Sequence, residues 1–155
     1  MTNQLSTSPD GTQYPLPKPE DYDREFKRIK ALVSEHRALG QEIVVVLGVG
    51  FVGAVMAAIV ADVVDKKGKP SKFVLGVQRP STRSFWKIPT LNKGISPVKA
   101  EDPEVEPLIR RTVLEKKSLL ATYNDEVLAL ADVVVVDVQL DFLKEELGNC
   151  RSGNV

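Results

Sequence analysis

From Ile43 to Ala61 the chain runs for 19 residues without a charged side chain. A run of that length is enough to cross a bilayer as a helix, so its internal order decides what the chain can fold into. It opens on the β-branched stretch Ile43-Val44-Val45-Val46-Leu47 and passes through Gly48-Val49-Gly50-Phe51-Val52-Gly53. It closes on Ala54-Val55-Met56-Ala57-Ala58-Ile59-Val60-Ala61. A β-branched run, three glycines and an alanine-rich run read as buried strand, tight turn and buried helix. That is the grammar of a parallel sheet covered on both faces, not of a membrane span. The amino-terminal residues are polar and contain no apolar segment of the signal-peptide kind.

The chain has 155 residues, 43% of them hydrophobic, with 21 basic and 21 acidic side chains that cancel. One domain with a real core is expected at this length. Zero net charge, with bases interleaved among acids as in Asp23-Arg24-Glu25, argues against a nucleic-acid partner. Cys150 is the only cysteine and His36 the only histidine, so neither an internal disulfide nor a metal cluster is expected. A cytoplasmic location is the expectation from this cysteine usage.

Three segments follow from the pattern. Residues 1–18, rich in Ser, Thr and Pro, read as a flexible or draped arm. Residues 19–40 read as an amphipathic helix with Phe26, Ile29, Leu32, Val33 and Leu39 along one stripe and Gly40 as its stop. Residues 41–155 alternate strand and helix. Strands are expected at Glu42–Leu47, Phe73–Val77, Ser118–Thr122 and Val133–Val138, and helices at Phe51–Asp65 and Pro103–Lys117. Asn124-Asp125 caps a short helix through Leu130, and Gln78–Asp102 reads as irregular. The fold class is α/β, a truncated Rossmann-like parallel sheet with flanking helices. His36 and Trp86 read as packing residues.

Gly48–Gly53 is a GxGxxG sequence placed between a strand and a helix, the context its chemistry requires. The first glycine permits the turn, the second lets backbone approach a pyrophosphate, and the third lets helix and strand pack closely. Free N–H groups and the positive dipole end at the helix start then hold the anion. Gly48, Val49, Gly50, Phe51, Val52 and Gly53 are therefore candidate cofactor-binding residues. The residue ending the second strand, where an acid usually receives the adenosine ribose, is Gln78. Arg79 and Arg83 follow it in a hydroxyl-rich loop that reads either as a phosphate site, with Arg79 placed to stack on adenine, or as a solvated basic turn. The residues by themselves leave NAD and NADP both open as the cofactor.

Three segments together resemble the amino-terminal domain of the UDP-glucose/GDP-mannose dehydrogenases, the nucleotide-sugar dehydrogenase family. They are Gly48–Gly53, Lys87-Ile88-Pro89-Thr90-Leu91-Asn92-Lys93-Gly94-Ile95-Ser96-Pro97-Val98, and Ala131-Asp132-Val133-Val134-Val135. The Leu-Asn-Lys-Gly-Ile-Ser-Pro part is the more discriminating, because generic Rossmann domains lack it. The resemblance implies NAD-dependent oxidation of the C6 alcohol of a nucleoside-diphosphate sugar to a uronate. It also implies a catalytic cysteine and a nucleotide-sugar domain beyond this chain, so the chain by itself is expected to be inactive. No catalytic residue is assigned within it.

The chain departs from the family pattern in three respects. Gln78 stands where the family has Asp. Val138-Gln139-Leu140-Asp141 stands where the family has Val-Pro-Thr-Pro, and the resemblance implies a nicotinamide-side ribose near Val138 and Gln139. The chain also stops at Val155, before the rest of such an enzyme. Cys150 lies in a polar turn without the family's catalytic context, and Asp137 reads either as a ligand contact or as a strand-end cap. A sheet cut at this point should leave apolar surface exposed, so a homodimer or self-association is expected. The alternative to a dehydrogenase domain is a non-catalytic dinucleotide-binding module or regulatory subunit.

Overall fold

The computed structural model describes residues 4–138. A short antiparallel hairpin, β1 (Leu5–Thr7) and β2 (Gln13–Pro15), precedes the long helix α1 (Pro19–Ala38). Then come β3 (Glu42–Leu47), α2 (Phe51–Asp62), β4 (Lys72–Val77), α3 (Lys87–Asn92) and α4 (Val105–Arg110). A π-helical turn, Arg111–Glu115, continues α4. The described chain ends with β5 (Leu119–Thr122), a 3-10 turn (Asp125–Leu130) and β6 (Val133–Val136).

The four later strands form one parallel sheet in the order β5-β4-β3-β6. The chain starts mid-sheet at β3, steps through β4 to β5, and returns to pair β6 on the other side of β3. The carboxyl ends of β3 and β6 thus flank a topological switch point, where open α/β sheets bind their ligands.

Alternate residues of each strand feed two cores. On one face Val44, Val46, Val74, Leu119 and Ala121 pack with α2, α3 and α4 through Ala57, Ala58, Leu91 and Ile109. The alanines keep α2 close to the sheet. On the other face Ile43, Val45, Phe73, Leu75 and Val77 meet Ile29 and Val33 of α1 and Val127 of the 3-10 turn. The amphipathic helix is therefore the second covering layer of the sheet. Its far end is pinned where the Arg37 guanidinium donates to Asp132 (2.8 Å) and to the Leu130 carbonyl (2.9 Å).

Several sequence expectations are revised. The arm contains a hairpin turned at Asp10-Gly11, with Gly11 at φ 86°. It drapes over α3, where the Trp86 N–H donates to Ser6 Oγ (3.1 Å) and Lys93 Nζ to the Tyr14 hydroxyl (3.2 Å). The irregular stretch 78–102 contains α3. Pro89 falls in its first turn, where a missing N–H costs no helical hydrogen bond. The helix expected over 103–117 starts at Val105 and loosens into the π turn. The helix expected to reach Asp65 ends at Asp62.

Candidate dinucleotide site

The glycine turn lies at the switch point, and two of its glycines are required by neighbouring backbone. Gly48 has φ 102°, and a β-carbon there would stand 2.0 Å from the Asp137 carbonyl oxygen, across from the end of β6. A β-carbon on Gly53 would stand 1.9 Å from the Gly48 carbonyl oxygen and 2.7 Å from Asp137 Oδ2. Turn, helix start and β6 end are thus pressed together with no space for a methyl group. Gly50 is the opposite case, since a β-carbon there meets nothing within 4 Å. Its backbone borders open space at the start of α2.

That helix start is suited to an anion. α2 has no side-chain cap and no acidic residue in its first turn. Its first intrahelical hydrogen bond runs from the Ala54 N–H to the Gly50 carbonyl (3.2 Å). The N–H groups of Phe51, Val52 and Gly53 precede it and have no helical acceptor. With the positive end of the helix dipole they form a donor set for a phosphate group. The side chains of Phe51 and Val52 turn away, into an apolar hollow shared with Ile59 and Val105. Only the backbone of these two residues belongs to the site.

Beside the turn, a cleft of about 480 Å³ opens over the strand ends, lined by Leu47, Gly48, Val77, Gln78, Arg79, Pro80 and Val138. Gln78 reaches back to the turn, where the Val49 N–H donates to its Oε1 (3.2 Å). Val49 itself is fully buried and packs in the core, so its contribution to the site is this N–H. Arg79 lines the cleft and is exposed. Arg83, expected beside it, is in the same turn but does not line the cleft; its carbonyl accepts from Trp86 Nε1 (2.9 Å). Gln139 and Cys150 lie outside the described residues.

Three lining residues escaped the sequence reading: Tyr22 of α1, and Tyr123 and Asp125 after β5. The two tyrosine rings meet edge-on at 5.1 Å. Burial, and then the charge of Asp125, raise the Tyr22 phenol above its usual pKa. The start of α1 is held there by Asn124 Nδ2 donating to the Tyr22 carbonyl (2.9 Å) and Thr122 Oγ1 to Glu25 (2.9 Å). No local sequence signal reveals these partners, because they meet only when α1 docks.

The remaining singled-out residues are structural. His36 stacks on Phe73 at 3.7 Å with its Nδ1 against Gln41. Asn92 completes the edge of β5, donating to the Ala121 carbonyl (2.9 Å) and accepting from the Ala121 N–H (2.7 Å). Leu91 is fully buried in the core and Gly94 takes φ 74° against Leu114. The Leu-Asn-Lys-Gly segment therefore clamps α3 to the sheet. Among the described residues no cluster of His, Cys, Asp and Glu could hold a metal, and no helix is long and apolar enough to cross a membrane.

No protein-family model matches the chain, and no curated protein does. Among solved structures it is similar to NDP-N-acetyl-D-galactosaminuronic acid dehydrogenase from Methanosarcina mazei Go1, at 33% identity and a TM-score of 0.58 over 74% of this chain. The chain spans 22% of that protein's length. In sequence and in its Rossmann-like sheet, the chain is thus similar to one part of a nucleotide-sugar dehydrogenase.

Proposed function

We propose that this chain is the dinucleotide-binding part of a nucleotide-sugar dehydrogenase that oxidises the C6 alcohol of a nucleoside-diphosphate sugar to a uronate. The observation that carries this reading is the glycine turn at the switch point. Gly48 and Gly53 are fixed by backbone contact, a β-carbon on Gly50 would meet nothing within 4 Å, and the start of α2 has no side-chain cap. The similarity to the Methanosarcina mazei dehydrogenase supports the reaction class.

In this reading the N–H groups of Phe51, Val52 and Gly53 hold the pyrophosphate, and Gln78 meets the adenosine ribose. Arg79, Tyr22 and Tyr123 border the adenine. Val138 stands on the nicotinamide side. The nicotinamide supplies a hydride acceptor. The residues of this chain supply binding and orientation, and the sugar and catalytic cysteine are met by protein outside it. The whole enzyme is proposed to be cytoplasmic and to act as a homodimer.

Isothermal titration of the chain with NAD tests the assignment. Saturable one-to-one binding, lost in Gly50→Asp, is expected, because a carboxylate there would face the pyrophosphate. Absence of binding to NAD and to NADP would overturn it. In the full-length protein, reduced nicotinamide should accumulate with UDP- or GDP-linked sugars and not with free sugars.

A further inference from the structure

Resting on the dinucleotide-site reading, we propose that the adenosine end of this cleft accepts a 2′-phosphate, so that the chain binds NADP at least as tightly as NAD. A carboxylate at the end of the second strand of such a sheet accepts the ribose 2′-hydroxyl and repels a phosphate in its place. Here the position is held by the neutral Gln78. Its Oε1 is engaged by the Val49 N–H at 3.2 Å, which leaves the amide NH2 as the group it presents. An amide NH2 donates only, and phosphate oxygens are better acceptors than a hydroxyl.

Arg79 follows directly, lines the same cleft, and forms no ion pair among the described residues. The turn carrying it is already built. Ser84 Oγ donates to the Arg79 carbonyl (3.0 Å), and the Ser81 and Ser84 hydroxyls are 2.7 Å apart. A guanidinium carried on a preformed turn offers a forked set of donors to a phosphate. Among the described residues the carboxylate lining the cleft is Asp125, on the β5 side, where its charge acts on the Tyr22 phenol. Gln78 stands one strand nearer the glycine turn, as the ribose of a bound dinucleotide would.

The test is isothermal titration of the full chain with NADP and with NAD at the same ionic strength. A dissociation constant for NADP equal to or below that for NAD is expected. Gln78→Asp should weaken NADP relative to NAD by about tenfold or more, through like-charge repulsion. Arg79→Ala, at an exposed position where folding is not at issue, should weaken NADP more than NAD. Tighter binding of NAD than of NADP overturns the proposal and leaves the dinucleotide site standing. Equal losses of both ligands in Arg79→Ala also overturn it. Binding of neither ligand by the unmodified chain overturns both readings.

Discussion

Gly53 shows how a single residue can fix the spacing of a helix and a strand. A β-carbon there would lie 1.9 Å from the Gly48 carbonyl oxygen, and that oxygen is backbone that cannot rotate away. Gly53→Ala should therefore destabilise the chain by about 2 kcal/mol or more, the upper range for overpacking, as a shift of the urea midpoint at unchanged slope. Asp137 is the other residue with a consequence of its own. Its Oδ2 sits 2.7 Å from the same hypothetical carbon, so a negative charge stands beside the first turn of α2. That charge opposes a pyrophosphate arriving there. Asp137→Asn should tighten NAD binding several-fold, with the gain shrinking as salt screens the interaction. Weaker binding in the variant would instead make Asp137 a ligand contact.

At the scale of elements, α1 matters because it forms the second face of the sheet. Ile29 is fully buried between α1 and the strands. Truncation to alanine should cost about 2–4 kcal/mol, as for other buried isoleucines. It should also weaken dinucleotide binding, because α1 carries Tyr22 into the cleft. A second joint ties α2 to the π turn. Arg111 donates twice to Asp62 at 2.8 Å, and Lys116 Nζ lies 2.8 Å from the same carboxylate. The Arg111 hydrogen bonds, and then Lys116, outweigh the cost of burial and lower the Asp62 pKa from 3.8 to about 2. A lowered folded-state pKa stabilises above the unfolded value, and the contribution is lost as pH falls through the folded one. The difference in unfolding free energy between the wild type and Asp62→Asn should be constant above about pH 5 and shrink from there toward pH 2. A difference independent of pH would remove the ion pair from the account.

For the whole molecule, the open side of the sheet governs behaviour. Among the described residues β6 has a strand neighbour on one side only, and Val134 and Val136 are 46% and 63% exposed. The apolar residues Phe51, Val52 and Ile59 of α2 are also exposed. An unpaired apolar edge strand is a template for pairing with another chain. Sedimentation velocity at micromolar concentration should show dimers or larger species, and Val134→Lys should shift the distribution toward monomer. A monomer at every concentration would overturn that expectation.

Much of this protein is set by local sequence. The order Ile43–Leu47, Gly48–Gly53, Ala54–Ala61 dictates strand, turn and helix, because β-branching, positive φ and small-residue packing are properties of those residues themselves. Gln78 could be placed at the end of the second parallel strand, beside the glycine turn, by its distance along the chain. Asp10-Gly11 held a hairpin signal in plain view, but the surrounding prolines and hydroxyls read as an arm. Other features exist only through tertiary contact. The placement of α1 across the sheet and the arrival of Tyr22, Tyr123 and Asp125 at the cleft depend on surfaces far apart in sequence. The glycine at Gly53 is required on both counts, by the Gly48 carbonyl five residues earlier and by the Asp137 carboxylate that β6 brings beside it. Local chemistry determines which elements form, and burial of the sheet's two faces decides what they bring together.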